Sequence, residues 1–253
     1  MRFASIGSGS KGNGTLVVSD DTCLLVDCGF TLKETELRLL RRGCRPEDID
    51  AILVTHEHGD HANGVGPLAR RYQIPVYLTP GTLRQARLGD LPSAELIDIH
   101  QSFHIKSIEV TPVAVPHDAR EPCQFVFSSG EKRLGILTDL GSITPFVKQQ
   151  SSGLDALVLE CNHDANMLAE GPYPPSLKAR VGGAYGHLSN RQAAELLADT
   201  LCDALQHLVL SHLSEQNNTP EQAVAAISQA LGCDRNWLTV ADQALGFDWH
   251  LIS

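Results

Sequence analysis

The chain of 253 residues is short of aromatics, which make up 5% of it, and it has only two methionines and two tryptophans. It therefore lacks the means to build a methionine-rich groove or an aromatic cage. Basic residues are outnumbered, 20 Lys and Arg against 30 Asp and Glu, for a formal net charge of −10. That excludes a molecule coated in positive potential, although a local basic groove remains compatible with it. No apolar run approaches the roughly 18 residues needed to cross a bilayer, so no membrane is expected as a partner. The opening MRFASIGSGSKGNG has no apolar stretch behind Arg2 and does not read as a secretory signal. Cys23, Cys28, Cys44, Cys123, Cys161, Cys202 and Cys233 are odd in number, scattered, and form no C-x-x-C pair. Neither a disulfide framework nor a zinc ribbon is indicated, and the expectation is a reduced, cytoplasmic protein whose thiols pack as small apolar groups.

What is present is an ordinary globular composition, 42% hydrophobic and 20% charged, with eleven histidines as its one excess. Residues 3–6, 15–18 and 23–27 read as strands, the first two separated by a glycine-rich loop, and Thr31 with Glu34 caps a helix carrying Leu37, Leu40 and Cys44 at helical spacing. Ser189 with Gln192 announces a second helix, with Ala193, Leu196, Leu197, Leu201 and Ala204 on one face. Thr219, Pro220 and Gln222 announce a third, with Ala223, Ala226, Ile227, Ala230 and Leu231. Residues 51–54, 113–115, 134–137, 156–159 and 208–210 are short Val/Ile/Leu runs suited to strands buried on both faces. Strands and helices alternate in the middle and at the end, hairpin-like strands dominate the start and residues 95–138, and Gly171-Pro172-Tyr173-Pro174-Pro175 is a loop too short to divide the chain. One α/β domain over residues 1–253 is expected.

The chemistry gathers at strand ends. The run 51–55 leads into His56, 113–116 into His117, 135–138 into Asp139, 157–159 into Glu160, and 208–211 into His212. Ligands of open α/β sheets collect outside the carboxyl ends of strands, so these groups can converge. The densest cluster is His56-Glu57-His58-Gly59-Asp60-His61. In extended backbone His56 and His58 share a face and can bind one cation together, while the turn at Gly59 redirects Asp60 and His61 to a second position. Imidazole with carboxylate favours zinc, manganese or iron over calcium or magnesium. The absence of a neighbouring thiol argues against a closed structural zinc site.

The pattern His-x-His-x-Asp-His, followed by a distant His, a distant Asp and a final His, resembles the metallo-β-lactamase superfamily over nearly the whole chain. The resemblance implies a four-layer αββα sandwich holding two divalent ions. His56, His58 and His117 would hold the first, Asp60, His61 and His212 the second, and Asp139 would bridge them. Ser8-Gly9-Ser10-x-Gly12-Asn13, Glu160-Cys161-Asn162-His163-Asp164, Gly186-His187-Leu188-Ser189-Asn190 and Leu210-Ser211-His212-Leu213-Ser214 narrow the resemblance to the single-domain YycJ/WalJ-like phosphodiesterase or exonuclease branch. The interval from Asp139 to His212 leaves no room for the large insertion of RNase J-type relatives, and there is no long tRNA-gripping arm of the tRNase Z kind.

The expected function is thus a binuclear metal-dependent hydrolase, a phosphodiesterase or nuclease, in which a metal-bridging hydroxide attacks a phosphodiester in nucleic acid or a small ester. Asp60 would orient the hydroxide, and His187, by analogy with tRNase Z-like relatives, would donate to a phosphate oxygen or protonate the leaving alcohol. The loop at 8–14 offers backbone N–H groups and hydroxyls to an anion, with Lys11 adding charge, so Ser8 and Asn13 are expected at the substrate. Asn162 and His163 either contact phosphate or support the ligands as turn residues. Arg38, Arg41, Arg42 and Arg45 read as a solvated helix face. His100, His104, His207 and His250 have no ligand-spaced partner. Two other readings are a thioester or lactone hydrolase of the glyoxalase type on the same metal core, and a non-catalytic nucleic-acid-binding module.

Overall fold

Residues 1–200 and 204–253 are described by a computed structural model. Its strands are β1 (Arg2–Gly7), β2 (Gly14–Ser19), β3 (Thr22–Val26), β4 (Ala51–Leu53), β5 (Val76–Leu78), β6 (Ala94–Leu96), β7 (Phe103–Ile105), β8 (Ile108–Ala114), β9 (Cys123–Ser129), β10 (Lys132–Leu137), β11 (Ala156–Glu160), β12 (His207–Ser211), β13 (Leu238–Val240) and β14 (Phe247–Leu251). They form two sheets, in the orders β14-β1-β2-β3-β4-β5-β6 and β13-β12-β11-β10-β9-β8-β7. Each sheet is half meander and half crossover. In the first, β14, β1, β2 and β3 are antiparallel neighbours and β3 to β6 run parallel. In the second, β7 to β10 are antiparallel and β10 to β13 parallel. Helices must cover the parallel halves, because a parallel connection needs a crossover.

Side-chain alternation then generates the layers. In β3, Leu24 and Val26 face the second sheet, where they meet Val110, Phe125, Phe127, Leu134 and Ile136, while Leu25 faces outward. The outer face of the first sheet packs on α1 (Leu32–Arg41) and, after the short α2 (Gly59–Ala62), on α3 (Val65–Tyr72), through Leu39, Val65, Leu68 and Ala69; α4 (Pro80–Gln85) follows β5. The outer face of the second sheet packs on α5 (Pro145–Ser151), α8 (Asn190–Thr200) and α9 (Pro220–Leu231), through Val147, Ala193, Leu196, Leu197, Ala223 and Ile227. Two short helices that the sequence did not announce, α6 (Ala165–Glu170) and α7 (Pro175–Val181), interrupt the crossover between β11 and α8. Three apolar cores separating helix, sheet, sheet and helix make the αββα sandwich. No helix among the described residues is long and apolar enough to cross a membrane.

The caps read from the sequence are formed. Thr31 Oγ1 accepts from Glu34 N, Thr219 Oγ1 accepts from Gln222 N, and Ser189 and Gln192 make a complete reciprocal box. The helix faces differ in places. In α1, Leu37 and Leu40 are 45% and 58% exposed, and the buried positions are Thr35 and Leu39. The reason lies in the arginines, two of which are not solvated. Arg38 stacks 3.9 Å from the Phe30 ring and donates to the carbonyls of Ile6 and Ala244. Arg42 donates to Ser5 O at 2.9 Å and to Leu245 O, and pairs with Asp248 at 2.5 Å. These guanidiniums clip the 242–248 turn onto β1, so the edge of α1 that they occupy is buried and Leu40 is turned outward. Ala204 and Ala230 are exposed, while Leu201 and Cys202 lie outside the described residues. The described cysteines are all free, with Cys23 Sγ 3.9 Å from Cys44 Sγ. His207 and His250, both half-buried, contact each other at a tilt and pack on Phe3, His250 stacked on its ring and His207 edge-on.

A pair of substitutions tests the α1 face. Leu39→Ala should destabilise by about 2–5 kcal/mol, and Leu40→Ala by no more than about 0.5 kcal/mol, read from urea-denaturation midpoints; equal costs would contradict the orientation.

Candidate metal and phosphodiester site

Strands β3, β4, β8, β10, β11 and β12 all end at one edge of the sandwich, and the residues just past them turn inward. Asp27, Asp139 and His212, each one or two positions beyond its strand, have φ of 61°, 53° and 54°. A left-handed backbone at a non-glycine residue is uncommon and tends to mark a functional position. Here it bends the chain so that the side chain points along the sheet edge. After β4 the segment stays extended through His58, whose φ and ψ are −60° and 147°, then enters α2, as the alternation of His56 and His58 requires. The close approach of β3's exit loop to this segment depends on Gly29, since a Cβ there would sit 1.7 Å from Asp60 O.

All seven ligand candidates meet. His56 Nε2 lies 3.0 Å and His117 Nε2 3.3 Å from His58 Nδ1. His61 Nε2 lies 3.4 Å from Asp60 Oδ2 and 3.3 Å from Asp139 Oδ2, and His212 Nε2 lies 3.5 Å from Asp60 Oδ2 and 3.6 Å from Asp139 Oδ1. Asp139 thus stands between the two groups, with Oδ1 also 4.0 Å from His117 Nε2. The ligand atoms of each group, His56/His58/His117 and Asp60/His61/His212, fall within 4.8 Å of one another.

Two buried carboxylates aim these imidazoles. Asp27 accepts from Thr55 N, Thr55 Oγ1 and His61 Nδ1, each at 2.8 Å, and Thr55 Oγ1 contacts His56 Nδ1 at 2.9 Å. Glu160 accepts from His187 Nδ1 at 2.7 Å, His212 Nδ1 at 3.2 Å, and the backbone of Leu140 and Leu188. His117 Nδ1 donates to Gly186 O at 3.0 Å. A proton fixed on Nδ1 leaves Nε2 as a lone pair facing the centre. Of these supports, Asp27 was not singled out from the sequence, and Glu160 was singled out as a strand end and in the Glu160–Asp164 segment but given no role; the strand-end rule that pointed to the ligand candidates applies equally to Asp27.

The electrostatics are those of a cation site. Burial keeps the pKa of His56 and His117 low, leaving neutral imidazoles. For Asp60, burial acts upward but is outweighed by His61 and His212, so its carboxyl lies well below the usual range. Glu160 is likewise held low against burial by the charge and hydrogen bonds of His187 and His212. His212 is raised to about 10, against its burial, by Asp139, Asp60 and Glu160. Buried polar atoms normally find a partner. Yet Asp139 Oδ2 and His212 Nε2 are buried without a hydrogen bond, both turned to this centre. Imidazoles facing one another with carboxylates between them, His56 and His117 held neutral and His61 and His212 drawn toward the charged form, against burial, by Asp139 and Asp60, form a donor set that fits divalent ions, whose binding would displace protons.

The centre opens into a cleft of about 370 Å³. His58, Asp60, Asp139, His187 and His212 line it, as do Asn162, Tyr173 and Arg180. The four expected substrate contacts are placed unequally. Asn162 lines the cleft but donates through Nδ2 to His212 O at 3.0 Å. Ser8 Oγ accepts from His212 N at 2.9 Å, and Asn13 ties Gly9 to Asp60 O, so both brace the ligands from behind. His163 is buried outside the cleft lining, bridging its backbone to Ser189. Lys11 is paired with Glu215 at 2.7 Å. Asp118, which the sequence reading omitted, has Oδ1 3.5 Å from His117 Nε2 and Oδ2 2.5 Å from Arg180 Nε.

A fold of two facing mixed sheets with a histidine-aspartate centre at their common edge defines a metallo-β-lactamase-type protein, and the chain belongs to that superfamily: the family described as "Beta-lactamase superfamily domain" matches residues 22–213. Within it, the chain is 37% identical over 235 residues to exodeoxyribonuclease YycJ of Bacillus anthracis, covering 91% of this chain and 89% of that one. It is 33% identical to exodeoxyribonuclease WalJ of Streptococcus pneumoniae, covering 99% and 93%. Among solved structures it resembles the metallo-β-lactamase fold protein YhfI of Bacillus subtilis, with a TM-score of 0.77 at 20% identity over 98% of each chain.

Removing the Asp27 carboxylate leaves Thr55 and His61 donors buried without an acceptor. Asp27→Ala should lower the stability of the metal-free protein by about 3 kcal/mol, measured by denaturant titration; a cost below about 1 kcal/mol would show that Asp27 does not carry these groups.

Proposed function

We propose that this chain is a metal-dependent phosphodiesterase that degrades DNA from an end, as its YycJ and WalJ relatives are named for doing. The observation that carries the reading is the pairing of two things in one cleft: a buried donor set with orphaned atoms, and a proton donor beside it. His56, His58 and His117 would hold one divalent ion, Asp60, His61 and His212 a second, and Asp139 would serve both, with zinc or manganese the best match to the donors. Bound there, such ions supply Lewis acidity to the phosphoryl oxygens and bring the pKa of water to about 7.

The chain's own groups do the rest. Asp60 Oδ1 makes no hydrogen bond among the described residues and is free to accept a hydrogen bond from the attacking water and so orient it. His187 is raised above its ordinary pKa, its burial being overcome by the charge and hydrogen bond of Glu160, so it holds a proton more firmly than a free imidazole. With Nδ1 held by Glu160, its Nε2 is left to protonate the leaving alkoxide. That donor favours a phosphodiester over a thioester, because a thiolate of pKa about 8.5 leaves without protonation whereas an alkoxide does not.

Two measurements test this. His58→Ala and Asp60→Ala should each reduce bound transition metal, by elemental analysis, from about two ions per chain to one or fewer; wild-type stoichiometry would refute the ligand assignment. His187→Ala should keep the metal and lose about 10²–10⁴ in phosphodiester turnover, with part of the loss disappearing for a substrate whose leaving group is an acidic phenol. Full activity would remove His187 from the chemistry.

A further inference from the structure

Resting on the phosphodiesterase reading, we propose that Tyr173, Leu177 and Val181 form a subsite for one unpaired nucleobase, with Arg180 taking a phosphate beside it. These side chains line the cleft together with the ligand cluster. They come from the Gly-Pro-rich loop and from α7, which has no fully buried residue. Leu177 and Val181 are one turn apart and so share a face. Each is only half-buried, as is Tyr173, so the apolar face of α7 has been spent on the cleft and not on the core. The Tyr173 hydroxyl makes no hydrogen bond among the described residues, so its ring is not tied to a structural polar partner there.

The remainder of the cleft is polar and ionic: His58, Asp60, Asp139, His187 and His212. A ligand filling both halves must join a flat apolar group to an anion, which describes a nucleotide. Arg180 strengthens the match. Its Nε is anchored on Asp118 Oδ2 at 2.5 Å, while its terminal nitrogens have no protein partner among the described residues and its side chain is 61% exposed. A guanidinium anchored on one edge presents its other donors to a phosphate in a fixed direction. At about 370 Å³ the cleft is at the small end of ligand sites and suits one nucleotide more than a length of duplex. A base still paired and stacked cannot lay its face on Tyr173, so the subsite selects a frayed or single-stranded terminus.

The test is a cycle on the metal-loaded enzyme with single-stranded oligodeoxynucleotides whose terminal residues are either intact or abasic. Tyr173→Ala should lower kcat/KM about tenfold or more on the intact strand, a typical loss for one stacked base. Removing the terminal bases should cost the wild type a comparable factor, and the two changes together little more than either alone. Tyr173→Phe should restore the intact-strand rate, because the ring and not the hydroxyl is used. Additive losses, or an equal loss on both strands, would overturn the base subsite while leaving the phosphodiesterase reading in place. A wild type that binds metal yet cleaves neither strand would overturn that reading and this inference with it.

Discussion

Everything at the active edge depends on two buried carboxylates, Asp27 and Glu160, each of which fixes two imidazoles. Asp27 holds His61 directly and His56 through Thr55, while Glu160 holds His187 and His212. Burying a carboxylate is costly unless its oxygens are fully engaged, and both are: three donors converge on Asp27 and four on Glu160. In return each fixes which nitrogen carries the proton. Without that, neighbouring rings would satisfy one another through Nε2–H donors and the lone pairs would be lost. Asp27 comes from the first sheet and Glu160 from the second, so each half of the sandwich orients its own side of the centre.

The Glu160 arrangement also ties ligation to proton donation. One oxygen, Oε1, accepts from both His187 and His212. A strained or shifted Glu160 would therefore disturb both His212, a proposed metal ligand, and His187, the proposed proton donor. The cleft outside this hub divides by chemistry: the sheet edges supply charge, whereas the 171–186 segment supplies an apolar wall and one arginine. Gly186 links the two parts. Its carbonyl receives His117 Nδ1, and a Cβ there would lie 2.2 Å from the carbonyls of Arg180 and Val181. The wall and His117 are thus packed against the same glycine.

Local patterns exposed most of the architecture. Alternation in residues 23–27, the capping boxes at Ser189 and Thr219, and the strand-terminal polar residues all express interactions within a few positions of one another, and these are visible in a single sequence. What stayed hidden depends on contacts between distant segments. Arg38 and Arg42 look like part of a solvated stripe until β1 offers them carbonyls and the 242–248 turn offers two more from over 200 positions away. Their burial in turn moved the apolar face from Leu40 to Leu39. Ser8 and Asn13 sit in a loop rich in free amides, which suggested an anion; the chain closes on them instead, with His212 N on Ser8 and Asp60 O on Asn13. Asp27 differs from any turn aspartate only through the partner it meets across the strand edge.

The division of the donor set between sheets has a thermodynamic consequence. His56, His58, Asp60 and His61 follow β4 in the first sheet, whereas His117, Asp139 and His212 follow β8, β10 and β12 in the second. Neither proposed ion could be held by one sheet alone: the first needs His117 with His56 and His58, the second needs His212 with Asp60 and His61. A ligand that binds only the assembled state stabilises it by mass action. Occupancy would therefore act on the packing of the two sheets against each other, across the core containing Phe125 and Phe127, and not merely on loops at the rim. In the metal-free chain that edge is held by His61 and His212 set against Asp60 and Asp139, with Asp139 Oδ2 and His212 Nε2 buried without a hydrogen bond. The left-handed backbone at Asp27, Asp139 and His212 adds a cost there of order 1–3 kcal/mol per residue. A site that is strained and underbonded when empty gains most from being filled, and that difference is the physical content of a protein built around its metal centre.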